Sequence, residues 1–479
     1  MIEIENLKLD QLHQWHPETV VGDWSEMGLA SLFSQLYRPE ALFCPESRSW
    51  YVYGTSVWQK DEGGILAAEK VKDFARLMVA YCASIQNDDA RTAYLRFVNR
   101  MGDRRVRTRI LNDAMGMLRV PAASMDGNPW LINCLNGTYD LQSHSFKKAD
   151  WNDFLTMQTD FYYDGAAHCE RFEQFIDEVT EGDTLKADYL QRALGYSLLG
   201  NASEECMFIL HGKTTRNGKS TLLHVIERML GDYSRVAPVA LICYGSRKSS
   251  SNAEGASPTL AALKGRRFVT MSESNEYGKL DEEKVKLFTG GEAISARALY
   301  QSTVTFLPQF TLWLSCNDLP AVSDRSLFAS ERIRVIEFNR HFSQQEQNKH
   351  LKNELTSKKA MSGIFNWLVE GFQKYQKNGL AAPSSVVSAT RRYEADNDFI
   401  DLFLKSCCTR DDATNTKAKD VYQAYIRWAD AEGAYPLTAR KFYAELQRHT
   451  EFFYRKAVSN GQTTFFGLKV NSLSSTLDL

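Results

Sequence analysis

What the 479-residue chain lacks narrows it first. It has no apolar run of the roughly 18 residues a membrane-spanning helix needs, and its opening MIEIENLKLD is acidic, without a signal-peptide core. A cytoplasmic protein with no membrane partner is expected. It has no cysteine framework: nine cysteines, an odd number, are scattered and none is spaced C-x-x-C. His168-Cys169 has no second ligand pair nearby, so burial rather than zinc binding is expected of these thiols. It has no charge excess either, since 57 basic and 59 acidic residues leave a net charge of -2. That excludes a simple polycation but not a protein whose positive charge is gathered in one groove or domain. No repeat of fixed period is present. With 43% hydrophobic and 24% charged residues, the chain has the composition of a globular protein of several domains.

Residues 1–165 are rich in tryptophan and tyrosine and read as an α+β domain. Trp50 to Trp58 reads as strand, turn and strand, and Asn136-Gly137 is a type I' turn signal between Leu131-Ile132 and Tyr139-Leu141. Between them, Ile65 to Leu118 has helical spacing and a basic cluster, Arg104, Arg105, Arg107 and Arg109, read as a solvated helix face before a binding site. From 166 to 345 short apolar runs alternate with helices, which predicts α/β structure with a parallel central sheet. The runs are Cys206–Leu210, Phe268–Met271, Phe310–Leu314 and Ile333–Phe338. Helices are expected over 346–395, ending near Pro383, then a smaller unit over 396–470 and a polar tail at 471–479. Gly245 to Asn252 reads as a mobile loop.

The strongest chemical signal is His211-Gly212-Lys213-Thr214-Thr215-Arg216-Asn217-Gly218-Lys219-Ser220-Thr221, after a strand run and before an apolar helix. Strand, loop and helix are the context a phosphate-binding loop requires. Amides from Asn217 to Thr221 at a helix N-terminus would bind the phosphates of ATP, Lys219 would add a point charge, and Ser220 would place its hydroxyl on Mg2+. Five residues rather than four separate Gly212 from Gly218, so the strict spacing fails at its first glycine. An acid should end a neighbouring strand to hold the metal or orient the attacking water. Glu273 is the candidate, with Glu276 as an alternative for the second task. Asn317, following Trp313-Leu314-Ser315-Cys316, is suited to a water or a phosphate oxygen, though it also suits a turn before Pro320.

The order of motifs resembles superfamily 3 helicases. It runs through N-G-K-S-T, the strand ending Ser272-Glu273, Lys286 to Glu292 with Arg297-Ala298-Leu299-Tyr300, and Ser315 to Pro320. The nearer resemblance is to the primase-helicases of phages, plasmids and poxviruses. Ser25 to Ala30, Trp50 to Gly54, Asn136 to Leu141 and Leu194 to Leu198 are similar to that family's segment ahead of the phosphate loop. The resemblance implies an AAA+ type P-loop ATPase forming a homo-hexameric ring that moves 3' to 5' on single-stranded and forked DNA. Replication of a phage, plasmid or mobile island in a bacterial cytoplasm is implied with it. It further implies that Lys219 and Ser220 hold phosphate and Mg2+, Glu273 is the Walker B acid and Asn317 the sensor. Ser272 stands where many relatives have a second acid, and Glu292 where aspartate is commoner. Arg332 lies where relatives place an arginine finger, Arg325 is the reserve, and Arg334 could equally be a strand-edge charge.

In such relatives a hairpin over Arg297 to Gln309 projects into the channel. Lys286, Arg297 and Tyr300 are contributors to a DNA grip there, or simply parts of a structural hairpin; the tip residue is not identified. The last unit reads as a winged-helix domain. A helix covers Val421–Trp428, Thr438 is an N-cap for a helix through Leu446, and a hairpin flanks Ser459-Asn460-Gly461. From Leu437 to Lys456 five basic residues (440, 441, 448, 455, 456) against two glutamates give +3. Arg440, Lys441, Arg455 and Lys456 are therefore candidates for contacting duplex DNA, a protein partner being the alternative. The first 165 residues show no closely spaced acidic pair on an apolar strand, so priming is expected of a separate primase or other replication proteins. Two further readings are an ATP-switched origin-binding initiator that does not translocate, and a P-loop regulator of protein partners.

Overall fold

The computed structural model describes residues 24–245, 257–272, 277–297, 303–322, 324–432, 436–449, 455–459 and 462–471. Near the N-terminus, α1 (Glu26–Tyr37) starts where the Ser25 hydroxyl accepts from the Gly28 amide. β1 (Ala41–Cys44), β2 (Ser49–Tyr53) and β3 (Trp58–Asp61) form an antiparallel meander, with the strand, turn and strand expected from Trp50 to Trp58. Asp61 then caps α2 (Ile65–Tyr81) by accepting from the Leu66 and Ala67 amides. Asn87 and Asp103 cap α3 (Asp88–Asn99) and α4 (Arg104–Met117) in the same way. These elements bury Phe33, Phe74, Tyr94 and Ile110 in one core.

A second meander follows: β4 (Leu131–Cys134), β5 (Gly137–Asp140) and β6 (Ser145–Lys147). Here the turn differs from the expected Asn136-Gly137. Cys134 pairs with Gly137, so Leu135 and Asn136 make the turn and the glycine belongs to the strand. The cause is tertiary: Asn136 exchanges two hydrogen bonds with the Tyr163 backbone, and a Cβ on Gly137 would lie 2.4 Å from the Lys147 carbonyl oxygen.

The centre comprises α5 (Glu170–Thr180), α6 (Thr184–Tyr196), β7 (Met207–His211), α7 (Lys219–Leu230), β8 (Ser234–Val236), β9 (Cys243–Gly245), β10 (Phe268–Ser272), β11 (Tyr277–Leu280), α8 (Glu282–Thr289), β12 (Ile294–Arg297), β13 (Thr303–Phe306), β14 (Thr311–Cys316) and β15 (Ile333–Glu337). Five of these strands form a parallel sheet in the order β15-β7-β14-β10-β8. All four predicted apolar runs are in it. Edge strand β8 was not anticipated, because Ser-Arg-Val carries no apolar run. The alternation of strand side chains divides the core: Phe208, Leu210, Trp313 and Ile336 meet α5 to α7, while Met207, Ile209, Leu312 and Val335 meet α8 and the β12–β13 hairpin.

Beyond the sheet, α9 (Lys358–Asn378) crosses α6 at glycines. A Cβ on Gly195 would lie 2.3 Å from the Phe372 nitrogen, and one on Gly371 would lie 2.2 Å from the Gln191 carbonyl oxygen. After Pro383, where helix was expected to end, α10 (Ser384–Asp396) begins instead, with proline at its N-cap. The last unit is α11 (Phe399–Cys407), β16 (Cys408–Lys417), α12 (Ala418–Ala431), α13 (Ala439–Leu446), β17 (Arg455–Ser459) and β18 (Gln462–Val470). Its antiparallel sheet has the order β16-β18-β17, and Phe403, Tyr425, Phe442 and Phe465 fill its core. β16 escaped sequence reading because CTRDDATNTK is almost wholly polar. Thr438 occupies the N-cap of α13 without a capping side-chain bond. No described helix is long and apolar enough to cross a membrane. Most of the Gly245–Asn252 loop lies outside the described residues.

Candidate active site

β7 is buried along its whole length and apolar up to His211, so its chain must turn at the sheet's C-terminal edge, and Gly212 makes that turn. A Cβ there would meet the side-chain Nδ2 of Asn217 and the Phe338 carbonyl oxygen, each at 2.5 Å. Gly218, at φ +90°, ends the loop and starts α7. Its missing Cβ would lie 2.5 Å from Val179 Cγ1 of α5. Asn217 is buried and donates from Nδ2 to the Thr214 carbonyl at 2.6 Å and the Gly212 carbonyl at 3.4 Å, bracing the loop from within. The extra residue of the spacing is absorbed by Arg216, which takes a left-handed φ of +59°. Its carbonyl accepts from the Phe342 amide at 3.0 Å, and a ring nitrogen of His341 lies 2.9 Å from the Thr215 carbonyl oxygen. Sequence reasoning missed this second support. No motif marks residues 338–342; they reach the loop because β15 runs parallel beside β7.

Lys219 is only 4% exposed. Its ammonium donates to the Gly212 carbonyl at 2.8 Å and to Asn317 Oδ1 at 2.9 Å, which brings together two of the residues singled out from sequence. Ser220 is exposed beside it and Thr221 half-buried. Asn317 is in reach because β14 lies between β7 and β10, with Cys316 opposite His211 and Ser315 opposite Ser272. Ser272 ends β10 exposed at the same edge, and Glu273 and Glu276 lie outside the described residues. α7 is tied to β10 where the Thr270 hydroxyl donates to Glu227. Burial raises the Glu227 carboxyl above its ordinary range, the Thr270 bond partly opposing the shift. Burial also lowers the His211 imidazole; Glu337 opposes that shift and the Lys219 charge adds to it.

The other candidates lie elsewhere. Arg332 immediately precedes β15, whose Ile333 pairs with Met207, so it stands at the N-terminal edge of the sheet. The five residues of β7 separate it from the phosphate loop, ~16 Å at ~3.3 Å per residue. It donates to Thr289 Oγ1 at 2.8 Å and to Glu205 at 2.6 Å. Arg325 is held by Glu394 at 3.0 Å and Asp398 at 2.6 Å, and Asp398 also caps α11, which ties the centre to the last unit. Arg334 pairs with Glu331 on the edge strand. Lys286 pairs with Asp324 at 2.7 Å, while Arg297 is exposed on β12; Tyr300 lies outside the described residues. Arg440 and Lys441 are exposed on α13 and Lys456 on β17, where Arg455 also lies.

The residues present suit a nucleoside triphosphate. A buried ammonium, a glycine cradle that excludes Cβ atoms and the start of a twelve-residue helix all favour phosphate oxygens. Bound with Mg2+, such a group supplies a transferable γ-phosphoryl. Lys219 and Ser220 would hold it, and Asn317 is placed to orient a phosphate oxygen or a water.

Family models bracket this sheet. One described as D5 N terminal like matches residues 30–181, and one described as Poxvirus D5 protein-like matches residues 395–470. The helicase-named L207/L206 protein of Acanthamoeba polyphaga mimivirus is 28% identical, over 64% of this chain and 33% of its own length. Over both matched segments the chain is similar to D5-type proteins. Another helicase-named relative, 121R of Invertebrate iridescent virus 3, is 25% identical over 64% of this chain and 35% of that protein. A third, V13 of Sputnik virophage, is 26% identical over 39% and 25%. The chain thus spans about a third of the length of the first two relatives. Among solved structures, the A form apo structure of the NrS-1 C terminal region covers 91% of this chain and 98% of that one at 10% identity, with a TM-score of 0.45.

Proposed function

We propose that the chain is the ATP-hydrolysing motor of a superfamily 3 helicase, of AAA+ type, acting as a homo-hexameric ring on single-stranded and forked DNA. The observation that carries this is the contact of buried Lys219 with Asn317. It exists because the strand bearing Asn317 lies between the phosphate-loop strand and β10, the strand leading to Glu273. Glu273 is assigned as the acid that holds Mg2+ or orients water. Arg332, at the far edge of the sheet, is assigned as the finger that completes a neighbouring protomer's site, because it is too distant to serve its own. Arg325, held by two carboxylates, is the lesser candidate. Movement 3' to 5' in replication of a virus or mobile element belongs to the same proposal, with priming supplied by a separate domain or protein.

The last unit has the helix-strand-helix-helix-strand-strand order of a winged helix, and we assign exposed Arg440, Lys441 and Lys456 to duplex phosphates. That surface favours one second reading, an origin-binding initiator that does not translocate. Purified chain is expected to hydrolyse ATP with Mg2+, faster with single-stranded DNA, and to separate forked DNA lacking any origin. Lys219→Ala is expected to abolish turnover. Unchanged hydrolysis in that variant overturns the site, and tight duplex binding without strand separation selects the initiator.

A further inference from the structure

Between positions 91 and 109 the chain places seven arginines (91, 96, 100, 104, 105, 107, 109) against one acid, Asp103, a local charge of +6 in a chain of net -2. Asp88 and Asp89 start α3, where Asp88 pairs with Arg91, so the unpaired charge lies toward the start of α4. The fold gathers part of this run around one open cleft of about 470 Å³ at the start of α4, lined by Asp103, Arg104, Arg105, Thr108 and Arg109. Arg100 joins it from the preceding turn, since Arg100 and Arg109 both reach Glu26, at 3.4 and 3.2 Å. Asp103 is occupied as the helix cap, accepting from the Arg105 amide at 2.8 Å. Among the described residues neither Arg104 nor Arg105 has a carboxylate partner, and both are exposed. Four arginines against Glu26 and Asp103 leave +2 at the cleft itself.

We propose that this cleft of the N-terminal unit is a second nucleic-acid contact, which holds the phosphate backbone of a single strand independently of ATP. Guanidinium forks match phosphate oxygens, and they are less strongly hydrated than lysine ammonium groups, so they lose less on leaving water. The lining is wholly polar. A protein partner would be expected to find an apolar anchor at the centre of its interface, and none lines this cleft. An exposed aromatic platform is equally missing from the lining, so the contact reads charge and not sequence. The inference rests on the proposed function only for the choice of nucleic acid as partner.

The test is binding of fluorescent oligothymidylate to the full chain, without nucleotide, across a salt series. Arg104→Ala/Arg105→Ala is expected to bind about tenfold more weakly at low salt. Its plot of log K against log salt should be shallower by about 1.4, two phosphate contacts at ~0.7 each. DNA-free ATP turnover should be unchanged. Arg104→Lys/Arg105→Lys, which keeps both charges, should keep the slope, so a folding defect in the alanine variant cannot decide the result. Alanine and wild-type chains with equal affinity and slope would overturn the proposal. So would loss of binding to polyglutamate with DNA binding intact, which would assign the cleft to an acidic protein. The cleft stands and the motor reading falls if these arginines govern DNA affinity in a chain that hydrolyses no ATP. The reverse holds if Lys219→Ala abolishes turnover while the alanine pair binds DNA normally.

Discussion

Lys219 and Asn317 illustrate what one contact can decide. Asn317→Ala leaves the ammonium its Gly212 carbonyl and the loop its internal Asn217 brace, so nucleotide should still bind. Turnover should fall about a hundredfold, the scale of losing one oriented polar group at a developing charge; steady-state kinetics would show kcat dropping far more than KM changes. His211 and His224 set a pH dependence. Burial is the first cause of both lowered imidazole pKa values, so the folded chain binds fewer protons than the unfolded one just below the ordinary value of 6.5. Their contribution to stability is complete above that value and is lost as pH falls through the lowered folded values. Thermal melts taken from neutral to mildly acid pH should show a declining Tm, and His211→Gln should flatten part of the slope. Individual residue types were legible in the sequence because N-G-K-S-T is a local pattern. The burial of Asn217 and the support from His341 and Phe342 were not, since they depend on a strand more than a hundred residues away.

At the scale of elements, glycine does most to fix geometry. Gly218 needs both a left-handed backbone and room against Val179. Gly218→Ala should cost about 1–3 kcal/mol in a denaturant melt and remove ATP binding with it. Gly371→Ala tests a different joint. Its Cβ would enter the Gln191 carbonyl of α6, so α9 must shift off the face that supports the sheet, for about 1–3 kcal/mol. A nucleotide titration should then show phosphate-loop affinity largely kept, because the damage lies in packing and not in the loop. The hairpin at β4–β5 shows where local reading stops: a turn signal located the hairpin, but Asn136 was drawn to Tyr163 and the turn moved by one residue. β8 and β16 escaped because neither carries an apolar run, and a neighbouring strand rather than their own pattern makes them strands.

Across the whole molecule, Arg332 and the phosphate loop occupy opposite edges of one sheet, so a ring should share sites between protomers. Arg332→Ala alone and Lys219→Ala alone should each lack hydrolysis, yet mixed rings should recover a measurable fraction wherever an intact loop faces an intact arginine. Mixtures that stay silent at every ratio would remove Arg332 from that role. Arg325, caught between Glu394 and Asp398, instead links the sheet to the last unit. The sequence by itself determined four of the five parallel strands, the glycine loop at the end of one of them, and the basic runs, because apolar periodicity and glycine spacing act over a few residues. Tertiary structure alone decided that Asn317 meets Lys219, that Lys286 is tied to Asp324, and that Arg100 and Arg109 meet at Glu26. Each depends on strand order or helix packing, which bring together residues tens to hundreds of positions apart and which no local pattern encodes.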